Sequence, residues 1–113
     1  MLNSIEQYLE HYFNLSERIA YFKRGLQYSA EIEVTNQCTM SCRYCYVEAV
    51  NDRGISHDPS FVVSLLKQLA DYGVREIGWI GGEPLMYKGL EDLMAATVSL
   101  GMSNVLYTNG TLL

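Results

Sequence analysis

The chain has 113 residues, of which 49% are apolar and 19% are charged, and this composition is ordinary for one globular domain. The formal net charge of −5 argues against a nucleic-acid backbone as the main partner, because nucleic-acid-binding domains usually present a basic face. No apolar run approaches the length of a membrane span, and the amino terminus lacks the basic start and apolar stretch of a secretory signal. We therefore expect a cytoplasmic protein that binds neither nucleic acid nor a membrane.

Residues 1–29 are predicted to form a helical extension. A first helix is predicted over residues 4–13, and Ser4 with Gln7 matches a capping box. Its apolar residues recur at helical spacing: Ile5, Leu9, Tyr12 and Phe13. A second helical segment follows and ends at Gly25. We expect this extension to cover one edge of the sheet that follows.

Residues 30–113 are predicted to alternate strands with helices. Strands are predicted over 30–35, 74–80 and 104–108, where β-branched and apolar residues cluster. The order strand, helix, strand, helix, strand implies a parallel sheet with right-handed crossovers. The fold class is therefore α/β.

Two helices connect the predicted strands. The first begins at Pro59 after the capping residue Asp58 and ends at Gly73, and the second spans roughly residues 88–100 and ends at Gly101. We expect the first to bury four residues: Phe61, Leu65, Leu69 and Tyr72. We expect the second to bury another four: Leu90, Leu93, Met94 and Val98.

All the cysteines of the chain lie close together, as Cys38, Cys42 and Cys45. An odd and tightly clustered set is a poor disulfide framework. Thiolates are soft ligands that suit iron–sulfur clusters, zinc or copper(I). Three thiolates could hold three irons of a four-iron cube and leave the fourth iron open, whereas a ferredoxin-type carrier needs four ligands per cluster.

Other uses of these cysteines remain open at this point. A structural zinc ion needs four protein ligands, and His57 and His11 are candidates for the fourth. A redox pair formed by Cys42 and Cys45 is another alternative, which would leave Cys38 spare.

Polar and glycine-rich segments follow each predicted strand. Gly81, Gly82 and Glu83 come after the second strand, and Thr108 and Asn109 lie at the end of the third. Each segment alone could be an ordinary turn, although glycines also let a backbone approach a ligand closely. In a parallel β/α barrel the working face lies at the carboxyl ends of the strands, so we expect these segments and the cysteines to converge there.

The cysteine segment resembles the signature loop of radical S-adenosylmethionine enzymes, in which three cysteines follow the pattern C-x3-C-x-aromatic-C. Tyr44 occupies the aromatic position between Cys42 and Cys45. The resemblance implies that Cys38, Cys42 and Cys45 bind a [4Fe–4S] cluster. It implies that the methionine amino and carboxylate groups of S-adenosylmethionine chelate the open iron, with Tyr44 near the adenine.

Two further segments resemble motifs of the same family. Gly81, Gly82 and Glu83 are similar to a motif that binds the methionine amino group, and Thr108 and Asn109 are similar to one that lines the cofactor pocket. The resemblance implies that an external donor of the flavodoxin or ferredoxin type reduces the cluster. The cofactor is then cleaved to methionine and a 5′-deoxyadenosyl radical, which abstracts hydrogen from a substrate.

The segments around the motifs look most like family members that modify peptides or proteins, many of which carry a SPASM or twitch domain with extra clusters. Because no cysteine follows Cys45, we expect no such domain in this chain.

The predicted strands make up about half of a radical SAM barrel, since a complete β/α barrel needs roughly 250 residues. We therefore expect a partial TIM barrel over residues 30–113 that is a fragment of a longer enzyme, or that self-associates or obtains its missing half from another chain. The alternative is a truncated, non-catalytic module that binds an iron–sulfur cluster or zinc.

Overall fold

The computed structural model describes residues 4–38 and 55–112. Its elements in chain order are α1 (Ile5–Phe13), α2 (Leu15–Lys23), β1 (Ser29–Thr35), α3 (Pro59–Asp71), β2 (Glu76–Gly81), a short 3₁₀ helix (Pro84–Met86), α4 (Leu90–Ser99) and β3 (Ser103–Leu106). Within these residues, no helix has both the length and the apolar character needed to cross a membrane.

The three strands form one parallel sheet in the order β1-β2-β3. Ser29, Glu76 and Ser103 lie in register at the amino-terminal end of the sheet. All three strands run in the same direction, so their carboxyl ends meet at one edge. The predicted α/β class is confirmed, and the arrangement is that of a partial TIM barrel.

The core lies between the sheet and the helices α3 and α4. In β1, Ile32 and Val34 are buried whereas Glu31 and Glu33 are exposed, so the predicted alternation holds. Trp79 of β2 is fully buried, and its indole N–H donates a hydrogen bond of 2.7 Å to Asn104 Oδ1 on β3. That bond satisfies the polar group that burial of a tryptophan would otherwise leave unpaired.

The predicted buried face of α3 is confirmed at Leu65 and Leu69 and wrong at Phe61 and Tyr72. Phe61 and Tyr72 are 54% and 82% exposed, whereas Val62 and Leu66 are fully buried against the sheet. Leu65 and Leu69 are partly buried and pack against the core. Apolar residues lie on more than one face of this helix. Their spacing alone therefore did not determine which of them would be buried.

The prediction for α4 fails at one residue. Leu90 and Leu93 are buried and Met94 packs against the core, but Val98 is 63% exposed and the neighbouring Thr97 is fully buried. Thr97 can be buried because its hydroxyl donates a 2.8 Å hydrogen bond to the carbonyl of Leu93, one helical turn earlier.

The helix boundaries follow local chemistry. Ser4 Oγ accepts a hydrogen bond from Gln7 N at 3.1 Å, which is the first half of the predicted capping box. Asp58 caps α3 by accepting from the Ser60 backbone N–H at 2.8 Å, and Pro59 occupies the first turn. The side-chain and backbone hydrogen bonds from Ser60 lower the pKa of the Asp58 carboxyl below its ordinary value.

The helical extension packs differently from its expected position along a sheet edge. Neither α1 nor α2 contains a buried residue. Arg18 forms an ion pair with Glu76, the first residue of the central strand, and its guanidinium lies 4.3 Å from the centre of the Tyr28 ring. Tyr21 donates a 2.6 Å hydrogen bond to the Gly73 carbonyl. These contacts hold the extension at the amino-terminal end of the sheet, opposite the strand ends that carry the motifs.

Candidate functional site

The described residues that flank the cysteine segment on its two sides are hydrogen-bonded to each other. After β1 the chain reaches Cys38, and it returns at Ile55–His57 to pair with the end of the same strand through an antiparallel bridge between Thr35 and Ser56. Asn36 N donates to the Ile55 carbonyl at 3.0 Å, and Ile55 N donates to Asn36 Oδ1 at 2.6 Å. Both ends of the segment are therefore fastened to the carboxyl end of β1.

Cys38 is buried, and it lies two residues after Asn36 in the chain. The other predicted residues of the loop, Cys42, Tyr44 and Cys45, lie outside the described residues. Among residues 4–38 and 55–112, no group of three or more His, Cys, Asp and Glu side chains could hold a metal ion.

Gly81 and Gly82 bring the end of β2 against the backbone that leads to Cys38. A Cβ on Gly81, whose φ is +147°, would lie 2.2 Å from the Thr35 carbonyl oxygen, and one on Gly82 would lie 2.3 Å from the Gln37 carbonyl oxygen. Gly82 N donates to the Thr35 carbonyl at 2.8 Å, in the same contact. The space that side chains would occupy is thus filled by the chain's own backbone, where the sequence had suggested a close approach to a ligand.

Glu83 is completely buried and holds two strand ends together. Its Oε1 accepts hydrogen bonds from Thr108 Oγ1 at 2.6 Å and from Asn109 N at 2.7 Å, while its Oε2 accepts from Leu85 N at 2.9 Å. Its backbone N–H donates to the Gln37 carbonyl at 2.7 Å. A carboxylate has about four lone-pair positions, so these donors leave acceptor capacity on Oε2.

Asn109 extends from the end of β3 to the cysteine. Its side-chain Nδ2 lies 3.6 Å from Cys38 Sγ, a distance at which an N–H can donate to the large sulfur atom. Its Oδ1 accepts from the backbone N–H and the hydroxyl of Thr111, at 3.0 and 2.8 Å. The amide therefore has its oxygen directed at Thr111 and its nitrogen at Cys38.

Within the described part of the chain, the predicted site residues converge as the topology required: Cys38, Gly81, Gly82, Glu83, Thr108 and Asn109. Sequence reasoning missed Gln37, whose carbonyl receives the Glu83 backbone N–H. It also missed Asn36 as the fastening of the cysteine segment. The available signal was a run of polar residues, Thr35 to Gln37, directly after a buried strand.

The two histidines make other contacts. The His57 ring lies 5.5 Å from the Phe61 ring, and its carbonyl accepts a 2.7 Å hydrogen bond from the Tyr87 hydroxyl. Burial, assisted by the negative charge of Asp58, raises the pKa of Tyr87 above its ordinary value. His11 lies on α1 with its ring 4.6 Å from that of Tyr12. These contacts do not favour either imidazole as a fourth metal ligand.

The geometry agrees with a comparison to known families. The sequence profile of the Radical SAM superfamily matches residues 32–113, which is most of the chain. The chain belongs to the radical SAM superfamily. This match covers residues 32–35 of β1, the cysteine segment and both later strand ends.

Curated relatives fall into more than one class of enzyme. A probable GTP 3′,8-cyclase of Methanosarcina mazei is 34% identical over 87 residues, which cover 73% of this chain and 26% of the relative. A PqqA peptide cyclase of Xanthomonas euvesicatoria is 35% identical over 86 residues, which cover 73% of this chain and 22% of the relative. The chain thus spans about a quarter of the length of the curated relatives it matches.

Solved structures share the fold. BtrN, solved in complex with AdoMet and 2-DOIA, is 29% identical with a TM-score of 0.67, and the match covers 78% of this chain and 38% of BtrN. SuiB of Streptococcus suis, solved with its precursor peptide SuiA, has a TM-score of 0.68 over 98% of this chain and 25% of SuiB. At 23% identity, the likeness to SuiB shows the fold alone.

The described residues fit the groups that this family implies, a [4Fe–4S] cluster and S-adenosylmethionine. A buried thiol is a soft ligand for iron, and an amide N–H beside it is a common neighbour of cluster sulfurs. The backbone of Gly82 and Glu83 lies against the residues that lead to Cys38, so the glycine segment is placed next to the cysteine that would ligate the cluster.

Proposed function

We propose that this chain is the amino-terminal part of the core of a radical SAM enzyme that binds a [4Fe–4S] cluster and S-adenosylmethionine. The observation that carries the proposal is the meeting of Cys38, Glu83 and Asn109 at one end of a parallel sheet. Their convergence is unusual for turns that serve only to connect elements, since a buried carboxylate costs free energy unless several donors surround it.

Each residue has a part in this proposal. Cys38, Cys42 and Cys45 supply the three thiolates, and the fastening of Asn36 to Ile55 keeps the ends of their segment at the sheet. Gly81, Gly82 and Glu83 receive the amino group of S-adenosylmethionine, Tyr44 lies beside its adenine, and Thr108 and Asn109 line the same pocket. When bound, the cluster and S-adenosylmethionine would supply one-electron radical chemistry for hydrogen abstraction from a substrate, and these residues would hold both groups at the strand ends.

We propose a peptide or protein as the substrate and a flavodoxin- or ferredoxin-type protein as the electron donor. The likeness to a PqqA peptide cyclase supports the peptide, whereas the similarly strong likeness to probable GTP 3′,8-cyclases makes GTP the competing substrate. Calorimetric titration of the reconstituted protein separates the two. Saturable binding of GTP would exclude a peptide-only site.

Anaerobic reconstitution with iron and sulfide tests the cluster itself. We expect about four irons per chain and reductive formation of 5′-deoxyadenosine from S-adenosylmethionine. Cys42→Ala removes one thiolate and should abolish stable cluster binding.

His57→Ala is the matched control for the zinc alternative. This imidazole packs against Phe61, so its removal should leave the iron content unchanged. Unchanged iron content in Cys42→Ala, or loss of bound metal in His57→Ala, would contradict the proposed site.

Among residues 4–38 and 55–112, β3 is the last strand of the sheet, and it pairs with β2 on one side. An unpaired strand edge is a template for further pairing, so we propose that more strands, from a longer chain or from another copy, continue the sheet there. Light scattering during size-exclusion chromatography measures this. A stable monomer of this chain alone would argue against it.

A further inference from the structure

The side chain of Asn109 has only one orientation that satisfies its neighbours. Its Oδ1 accepts from the Thr111 backbone N–H at 3.0 Å, and a backbone N–H cannot accept in return. An amide has one oxygen acceptor and one nitrogen donor group, so reversal would place a donor against a donor. The Nδ2 group is therefore left facing Cys38 Sγ at 3.6 Å.

The backbone beneath this amide is also held in place. Asn109 N donates to the completely buried Glu83 carboxylate at 2.7 Å, and Thr108 Oγ1 donates to the same oxygen at 2.6 Å. Gly110 N donates in turn to Thr108 Oγ1 at 3.0 Å. Asn109 is thus fixed through its own main chain and through its side-chain oxygen, and its side-chain nitrogen is directed at the sulfur.

A donor aimed at a cluster-ligating sulfur has an electrostatic consequence. Reduction adds negative charge that spreads onto the thiolate sulfurs, and an N–H directed at one of them stabilises that charge. Such hydrogen bonds raise the reduction potential of an iron–sulfur cluster. The Asn109 amide is a neutral donor, so it acts on the sulfur as a dipole and not as a full charge.

We infer that Asn109 is a positioning residue that donates to Cys38 Sγ and thereby raises the reduction potential of the cluster, in addition to any contact with the cofactor. The inference rests on the proposed function, because it requires a cluster on Cys38. The hydrogen bond from Asn109 N to Glu83 then has a function. It fixes the end of β3 to the end of β2, so that the Asn109 side-chain amide lies beside Cys38, which follows β1.

Redox titration of the reconstituted cluster, followed by electron paramagnetic resonance, tests this role. Asn109→Asp and Asn109→Ser both keep an oxygen that can accept from Thr111 N, so both preserve the turn while removing the amide donor. We expect the equilibrium constant for one-electron reduction to fall about tenfold in Asn109→Ser, which corresponds to 59 mV. We expect a larger fall in Asn109→Asp, because a carboxylate beside the sulfur repels the added charge.

Asn14→Asp is the matched control for the change of charge. Asn14 lies between α1 and α2 with a φ of 52°, a conformation that aspartate tolerates, and it belongs to the extension at the other end of the sheet. This variant should keep the wild-type potential. Resonance Raman spectra of the iron–sulfur stretching modes provide a second readout, which should differ from wild type in both Asn109 variants and not in Asn14→Asp.

Cluster uptake by the wild-type chain tests the proposed function, and the potentials of the Asn109 variants test the role of Asn109. A wild-type chain that takes up no cluster overturns the proposed function and this inference with it. Normal iron and sulfide content with an unchanged potential in both Asn109 variants overturns the inference alone. Loss of the cluster from both variants, with Asn14→Asp intact, would make Asn109 a residue of cluster assembly and would equally overturn a role in setting the potential.

Discussion

The helical extension exposes large apolar side chains, whereas the carboxyl end of the sheet buries an ionisable one. In α1, large apolar side chains such as Ile5 and Tyr12 are 69% and 61% exposed. At the strand ends the ionisable Glu83 is completely buried. The extension is attached through Arg18 and Tyr21, whereas the strand ends are joined through backbone contacts and a carboxylate that accepts three hydrogen bonds.

The difference in burial indicates that the strand ends are held more rigidly than the helical extension. A buried carboxylate is tolerated only with several donors in good geometry, so Glu83 commits Leu85, Thr108 and Asn109 to one arrangement. Partly exposed ion pairs impose no such constraint, because water can replace either partner. Changes at the strand ends should therefore cost far more stability than changes in the extension.

Gly82→Ala should have the largest effect. The added Cβ would lie 2.3 Å from the Gln37 carbonyl oxygen and 2.6 Å from that of Asn36, so two backbone segments must separate. We expect a loss of about 3 kcal/mol or more in the free energy of unfolding, measured by urea denaturation.

Gly101→Ala is the control for this substitution. In the described part of the chain, no atom beyond its immediate neighbours lies within 4 Å of a Cβ at Gly101, and its φ of +83° is what opposes alanine. We expect a loss of about 1 kcal/mol. Equal losses in the two variants would refute the close approach at the strand ends.

Glu83→Ala should follow in size. It leaves the N–H groups of Leu85 and Asn109 and the Thr108 hydroxyl without their acceptor in a buried site. We expect a loss of about 3 kcal/mol in the free energy of unfolding, and weaker protection of the Asn109 amide from hydrogen exchange.

Glu33→Ala is the matched carboxylate control, because Glu33 is exposed on β1. It should change stability by about 0.5 kcal/mol or less. If removal of Glu83 cost no more than removal of Glu33, the carboxylate would not be what joins β2 to β3.

Arg18→Met should have the smallest effect of the three. Arg18 is partly exposed, and it pairs with Glu76 and covers the Tyr28 ring. We expect a loss of about 1 kcal/mol in the free energy of unfolding, with cluster uptake unchanged.

Arg75→Met provides the comparison within the same region. The pair of Arg75 with Glu17 is more exposed, at 49% and 42%, and its loss should cost about 0.5 kcal/mol or less. A loss in Arg18→Met as large as that of Glu83→Ala would remove the contrast between the two regions.

Much of the fold was predictable because its signals are local. Alternation of Ile32 and Val34 with Glu31 and Glu33 predicted a strand, and Asp58 with Pro59 marked the start of α3. The buried faces of α3 and α4 were predicted less well. The choice of Val62 over Phe61, and of Thr97 over Val98, depends on how each helix lies across the sheet.

In the candidate site, too, the residues were predictable from the sequence and their contacts were not. Residue types and their order along the chain led to Cys38, Gly82, Glu83 and Asn109 as candidates, since parallel strands bring their carboxyl ends to one edge. Their partners were not predictable. Whether Glu83 would face a ligand or its own chain depends on its contact with Asn109, which lies 26 positions later. Which atom Gly82 would approach depends on the distant segment that contains Gln37.

The amino-acid sequence by itself determined the α/β order of this protein, the positions of its turns and its family, because spacing, capping and cysteine pattern are properties of short segments. Only the tertiary structure decided that a buried carboxylate joins two strand ends and that the Asn109 amide is aimed at Cys38. The physical reason is that hydrogen-bond direction and burial depend on which distant segments meet, and the sheet register sets that meeting.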